Sequence, residues 1–452
     1  MSQSIVPANN AKYQSWGRYP KVHDSLVETV YWQDDIPDLS QFDRPILAYG
    51  YGRSYGDSCL NNGGIMLDMR SMNRFIAFDD QKGLLRCEAG VSLADILAVI
   101  VPRGWFIPVS PGTKYVSMAG AIANDVHGKN HHSAGTFGCH VTQFELLRSD
   151  GTRMICSPTQ NLEMFKATIG GLGLTGLILW GEIKLKKIDN PFIAVERIKF
   201  ESLDEFWEID AETGTRYAYT VSWMDCFTSG THVGRGHYFR GNNATPEQAA
   251  GHKIREKLKL RIPLDIPSFL LNALTVRLCN EAVYRSQLPK KVSNVQYYEP
   301  FYYPLDAILD WNRAYGRSGF LQYQFVVPGT DNCRDLKEIL GEIRKAGVLL
   351  SFVNVFKRFG DIKSPGMLSF PRPGVTLALD IPFRGPPTLR FLDKLDSIVR
   401  HYGGAVYPAK DARMSAQSFQ AFYPNWREFA QFIDPKFSSS FWRRVTASVE
   451  AN

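Results

Sequence analysis

Two glycine-rich stretches constrain this chain more than any other feature. One is Tyr51-Gly52-Arg53-Ser54-Tyr55-Gly56-Asp57. The other starts at Pro111-Gly112-Thr113, continues through Ala119-Gly120-Ala121-Ile122-Ala123-Asn124, and ends in His127-Gly128-Lys129-Asn130-His131-His132-Ser133-Ala134-Gly135-Thr136-Phe137-Gly138. Glycine lets a backbone turn tightly and come close to a ligand. Successive exposed N–H groups in such turns form an anion-binding concavity. Two such loops in one domain suit the pyrophosphate of an extended dinucleotide.

Length and charge set the frame. At 452 residues the chain suggests two or three domains. Its 44% hydrophobic and 21% charged content is that of a globular protein with a full core. The net charge is +7, and it is unevenly spread. Between Lys253 and Lys291 nine basic residues face three acids, Glu256, Asp265 and Glu281. No basic stripe interleaves with aromatics, so nucleic acid is not an expected partner. The seven cysteines are odd in number, widely spaced and without a C-x-x-C pair, which predicts reduced thiols. No signal peptide is visible in Met1–Gln14, and no apolar run reaches the roughly 18 residues of a spanning helix. The expected location is the cytoplasm. The mixture of cations with Ile262-Pro-Leu-Asp-Ile-Pro-Ser-Phe-Leu-Leu-Asn-Ala-Leu adds an expected peripheral contact with the inner face of the membrane through 253–291.

Local patterns predict an α+β fold. Short apolar runs at Pro45–Gly50, Gly64–Met69 and Leu84–Gly90 read as strands. Ser92 is placed to cap a helix that Pro102 and Gly104 stop. Gln143–Arg153 reads as a hairpin turning at Asp150-Gly151. After Ile188 the character changes, with alternating strands at Tyr217–Trp223 and Phe320–Pro328 and a helix from Asp335. Gly171-Leu-Gly173-Leu-Thr-Gly176 matches G-x-G-x-x-G, but a helical run precedes it and a strand follows, the reverse of a dinucleotide-binding turn.

The two glycine stretches, above all His127-Gly-Lys-Asn-His-His-Ser-Ala-Gly-Thr-Phe-Gly, resemble the vanillyl-alcohol-oxidase (PCMH) type of FAD-binding flavoproteins. Further matching segments are Leu321-Gln-Tyr-Gln-Phe-Val-Val-Pro, Asn354-Val-Phe-Lys357, Leu368-Ser-Phe-Pro and Tyr407-Pro-Ala-Lys410-Asp-Ala-Arg413. Within that family the chain is similar to the branch that oxidises polyprenyl-phosphate pentoses. The resemblance implies a two-part FAD-binding domain (1–190, completed by 405–452) with a substrate domain on an antiparallel sheet (191–404) inserted between. It also implies FAD, a polyprenyl-phosphate sugar as substrate, and a short-chain NAD(P)H-dependent keto-reductase as partner. A soluble oxidase of sugars, polyols or lactones using oxygen is the rival enzyme reading. A binding scaffold with a degenerate flavin fold is the non-enzyme one.

The same resemblance assigns residues. Cofactor contacts fall on Gly52, Arg53, Ser54, Tyr55, Gly56, Asp57, Pro111, Gly112, Thr113, Gly120, Ala121, Ala123, Asn124, Gly128, Asn130, His132, Ser133, Ala134, Gly135, Ile178 and Tyr407. His127 and Lys129 are expected beside the ring and substrate as catalytic candidates, His127 also as a cofactor contact, and Lys410 over the ring as the main catalytic candidate. A fixed ammonium there offsets the negative charge that arriving hydride leaves on the ring. Arg53 stands where covalently flavinylated relatives carry histidine, so the FAD is expected to be non-covalent. Gln322 and Gln324, two apart on a strand, share one face. With Asn354, Lys357, Thr376, Ala378, Trp223 and Tyr302 they are the expected substrate contacts. Ala378 replaces a cysteine that relatives carry near the pocket. His127, His131 and His132 lack a carboxylate or cysteine at ligand spacing, and no metal site is expected.

Overall fold

A computed structural model describes residues 5–9, 12–228, 230–254, 259–329, 333–351 and 353–447. The fold is mixed α+β and rests on three main sheets. A four-stranded sheet runs in the order Val6–Pro7, Leu26–Thr29, Ile65–Asp68, Ile46–Tyr49. An antiparallel five-stranded sheet runs Phe75–Asp79, Leu84–Glu88, Leu177–Lys184, Val141–Leu147, Arg153–Cys156. The third has eight strands, in the order Lys291–Tyr297, Phe192–Phe200, Gly236–Asn243, Tyr219–Met224, Asn354–Phe359, Gly374–Pro382, Phe320–Val327, Ala405–Val406. Each neighbouring pair in it is antiparallel.

Local chemistry explains the elements. Ser92 accepts from the Asp95 backbone N–H while the Asp95 carboxylate accepts from that of Ser92, and the helix Leu93–Ile100 starts there. The chain leaves it through Gly104 at φ +75°. The hairpin between Val141–Leu147 and Arg153–Cys156 turns at Gly151, where φ is +84°. The G-x-G-x-x-G run sits between the helix Leu162–Thr168 and the strand Leu177–Lys184, helix first.

Alternation sorts the large sheet into two faces. Leu321, Tyr323 and Phe325, with Phe356, Leu377 and Leu379, fill an apolar core shared with the helices Arg334–Ala346 and Pro386–His401. The other face carries Gln322, Gln324, Lys357 and Ala378 and becomes a cavity wall. Gln324 pairs with Ala378, and Lys357 with Thr376.

The C-terminal segment reaches both parts of the molecule. Ala405–Val406 is the eighth strand of the large sheet. Farther on, Ile46 N–H donates to Lys436 O and Ser438 N–H to Ile46 O, so the tail also extends the four-stranded sheet. Arg444 clamps Asp57 through Nη2–Oδ1 (2.6 Å) and Nε–Oδ2 (3.1 Å). Gly56 is a close crossing: a Cβ there would lie 1.7 Å from the Asp411 carbonyl oxygen. Among the described residues no helix is long and apolar enough to cross a membrane.

Candidate active site

The glycine loops, the open face of the large sheet and the segment Tyr407–Lys410 enclose one cavity of about 940 Å³. That volume lies at the upper end of the range for small-molecule sites. Gly52, Arg53, Ser54 and Tyr55 line it from the first loop, and Pro111, Gly112, Thr113, Gly120, Ala123, Asn124, His127, Gly128 and Lys129 from the second. Ile178, Trp223, Tyr302, Gln322, Gln324, Asn354, Lys357, Ala378, Tyr407 and Lys410 complete the expected residues found there.

Gly52 is held at φ +60°, where an added Cβ would strike the Tyr49 hydroxyl. Arg53 is turned toward aromatics. Its guanidinium lies 4.2 Å from the Trp16 ring centroid and 5.9 Å from that of Tyr115. Burial lowers its pKa, and the Asp306 carboxylate opposes that shift.

At the other end the polar groups converge. Gln324 Nε2 lies 3.0 Å from His127 Nε2 and 3.0 Å from Thr376 Oγ1. Burial pushes the His127 pKa well below its ordinary value, and Lys357 and Lys410 push it further, so the imidazole is neutral. A neutral ring that accepts at Nε2 carries its proton on Nδ1. That Nδ1 is buried and has no protein partner, as do Gln324 Oε1, Ser222 Oγ and Asn354 Oδ1. These orphaned atoms are what a polar ligand would satisfy.

Three half-buried lysines face the same space. Lys129 Nζ donates to Tyr302 O (3.1 Å) and Lys357 Nζ to Gly128 O (2.9 Å). Lys410 Nζ stands 5.3 Å from the Tyr55 ring centroid. Desolvation lowers all three pKa values, that of Lys129 to about 8. Lys129 and Lys410 also depress Lys357 by like-charge repulsion. Two acids offset this, Asp306 toward Lys129 and Asp380 toward Lys410.

Several expected site residues lie elsewhere. Asp57 is spent on Arg444, and Gly56 on the crossing with Asp411. Ala121 points into the core beside Met118 and Ile122. Asn130 Nδ2 donates to Pro108 O (2.8 Å). The short helix His131–Ala134 turns the rest of that motif away from the cavity: His132 Nε2 meets Tyr217 O at 2.9 Å and Ser133 Oγ donates to Ala218 O at 3.0 Å. The Ala134 carbonyl meets His140 Nε2, and Gly135 is the cap of that helix, at φ +68°. Thr376 sits behind Gln324, out of the lining. These segments are loop-to-sheet packing, which a glycine and histidine pattern cannot separate from ligand contact.

Asp380 was not among the expected residues. It is fully buried, receives Gln322 Nε2 at 2.5 Å and Tyr315 OH at 3.1 Å, and is the carboxylate that acts on Lys410. Burial raises its own pKa. A lone acid inside Val375-Thr-Leu-Ala-Leu-Asp-Ile was the available signal.

Residues 36–157 match the model of the FAD binding domain family. The chain belongs to the FAD-binding oxidoreductases of the vanillyl-alcohol-oxidase (PCMH) type, and its cofactor is FAD. It is 36% identical to decaprenylphosphoryl-beta-D-ribose oxidase of Mycolicibacterium smegmatis, over 98% of this chain and 99% of that one. It is 30% identical to an uncharacterized protein in the mprA 5' region of Streptomyces coelicolor, over 78% of this chain and all of the relative. Bovine L-gulonolactone oxidase is 28% identical over 37% of this chain and 39% of its own length.

Proposed function

We propose that this flavoprotein oxidises the C2 hydroxyl of a polyprenylphosphoryl-β-D-ribose to the 2-keto sugar. This would be the first half of an epimerisation to the arabinose donor for cell-wall glycans. The observation that carries the reading is the convergence of Lys129, Lys357 and Lys410 on one cavity beside apolar Trp223, Phe239, Ile308 and Leu309. Three cations with too little negative charge among them suit a phosphorylated substrate and a ring that becomes anionic. The apolar wall suits a prenyl chain. The full-length similarity to decaprenylphosphoryl-beta-D-ribose oxidase supports the same substrate class.

The residues present fit FAD. Gly52–Tyr55 and Pro111–Thr113 would hold the pyrophosphate, Gly120, Ala123, Asn124 and Ile178 the nucleotide side, and His127–Lys129, Tyr407 and Lys410 the ring end. When bound, FAD supplies the acceptor for a hydride from the carbinol carbon. Lys410 holds a cation at that end and orients the substrate hydroxyl. Neutral His127 donates from Nδ1, and Gln324 keeps its tautomer in place. Arg53 cannot form the flavin bond a histidine makes, so the FAD is held non-covalently. Residues 1–190 with 405–452 form the FAD part and 191–404 the substrate part. The ketone product calls for a separate short-chain NAD(P)H-dependent reductase.

The test is anaerobic bleaching of the bound flavin by a panel of detergent-solubilised polyprenylphosphoryl pentoses and free sugars. Bleaching by the ribose conjugate with formation of its 2-keto product is expected. Bleaching by free sugars or lactones alone, with steady peroxide in air, would replace the substrate class.

A further inference from the structure

We infer that residues 260–288 form a docking surface for an anionic lipid bilayer, continuous with the mouth of the cavity. Among the described residues, seven of the eighteen exposed large hydrophobic side chains fall within 260–288. Leu264 is 76% exposed, Phe269 71%, Leu274 66% and Leu278 61%. A soluble face does not ordinarily gather so much apolar surface in one place.

The exposure is built rather than loose. Arg18 pairs with Asp265 at 2.6 Å, and Ile266 N–H donates to Arg313 O at 3.0 Å. Arg384 Nη2 donates to both Ser268 O and Leu271 O at 2.9 Å. The helix Ala273–Arg285 is capped by the Asn272 side chain and buries only Val276 and Asn280. Asn280 Nδ2 donates to Asp225 Oδ1 at 2.8 Å. With that face turned inward, Leu274 and Leu278, one turn apart, share the outward side.

Charge selects the occupant. Lys259, Arg261, Arg277, Arg285, Lys290 and Lys291 are all exposed around the apolar side chains. The described acids of the segment are already paired, Asp265 with Arg18 and Glu281 with Arg235 and Arg285. Arg261, Arg285, Lys290 and Lys291 meet Asp310, Glu281, Glu205 and Glu196 in exposed ion pairs, whereas Arg277, between Leu274 and Leu278, and Lys259, beside Leu260, face no carboxylate among the described ion pairs. Apolar side chains interleaved with these two cations fit an anionic interface, where buried apolar area and charge attraction add. A protein partner is the alternative occupant.

The patch leads into the cavity. Leu260–Arg261 pairs with Ile308–Leu309, and Arg261, Ile308 and Leu309 line the cavity mouth. An amphiphile could pass from bilayer to site along this wall. That use rests on the polyprenyl-phosphate reading; the docking does not.

The test is co-sedimentation of the FAD-loaded protein with vesicles of phosphatidylcholine alone and of phosphatidylcholine mixed with phosphatidylglycerol. Salt-sensitive binding to the mixed vesicles is expected, with at least a tenfold drop (an order-of-magnitude figure) for the triple variant Phe269→Gln, Leu274→Gln, Leu278→Gln. Arg277→Glu, which leaves the apolar side chains intact, should weaken binding by roughly fivefold or more. Retained flavin absorbance and turnover on detergent-solubilised substrate show that the variants fold. No binding by the intact chain, or equal binding by the triple variant, overturns the proposal. So does a dimer or a reductase complex lost in the triple variant without vesicle binding. Because substrate class is read by bleaching in detergent, neither failure touches that reading.

Discussion

Gln324 and His127 lie 197 positions apart and meet at 3.0 Å, side chain to side chain, inside the cavity. One belongs to the large sheet and the other to the second glycine loop, so this contact ties the two halves of the site. Gln324→Leu should cost about 1–3 kcal/mol of stability, because a buried ring nitrogen loses its partner. Chemical denaturation of the FAD-loaded protein measures it. A change within error would mean the contact is incidental.

Lys410→Met should leave FAD bound and cut flavin reduction by about 100-fold or more, the usual loss when a group that stabilises developing charge is removed. Stopped-flow bleaching reads the step directly. Turnover near that of the parent chain would take Lys410 out of the mechanism.

Asp380→Asn should move the alkaline limb of flavin reduction to lower pH. Desolvation lowers the Lys410 pKa and the Asp380 carboxylate holds it up. Without that carboxylate the ammonium loses its proton sooner as pH rises, so the charged form persists over a narrower range. A pH profile of single-turnover reduction decides the matter. A limb that stays put would make Asp380 only a packing residue.

His131 carries a pH-dependent cost. It is buried, and burial pushes its pKa down to about 3 from 6.5. Below 6.5 the unfolded chain binds a proton the folded chain refuses, so stability falls as pH falls through that window. A His131→Gln variant lacks this term. Its stability deficit against the parent chain should shrink by about 1.4 kcal/mol between about pH 7.5 and about pH 5.5. Paired thermal or urea melts at the two pH values test this, and a deficit independent of pH rejects it.

Denaturation followed by ultrafiltration should release the yellow chromophore into the filtrate. Arg53 stacks on Trp16 and offers no bond to the flavin. Colour that stays with the unfolded chain contradicts non-covalent binding.

Local chemistry was legible in the residues themselves. The Ser92 cap, the Asp150-Gly151 turn, the glycine loops and the shared face of Gln322 and Gln324 depend on neighbours a few positions away. Short-range sterics and strand alternation decide such features, and both are written in the order of residues.

Only the tertiary structure decided which residues of one motif face the cavity. Within a single run His127–Lys129 line it, while His132 and Ser133 bond to the backbone of Tyr217 and Ala218. Asp380 gained its place beside Lys410 because distant segments pack there. Leu274 and Leu278 have the spacing of a buried stripe, yet Val276 and Asn280 took the inward face. The reason is physical. Periodicity states that a helix has two faces, and long-range packing, with polar anchors such as Asn280 to Asp225, selects the one turned inward.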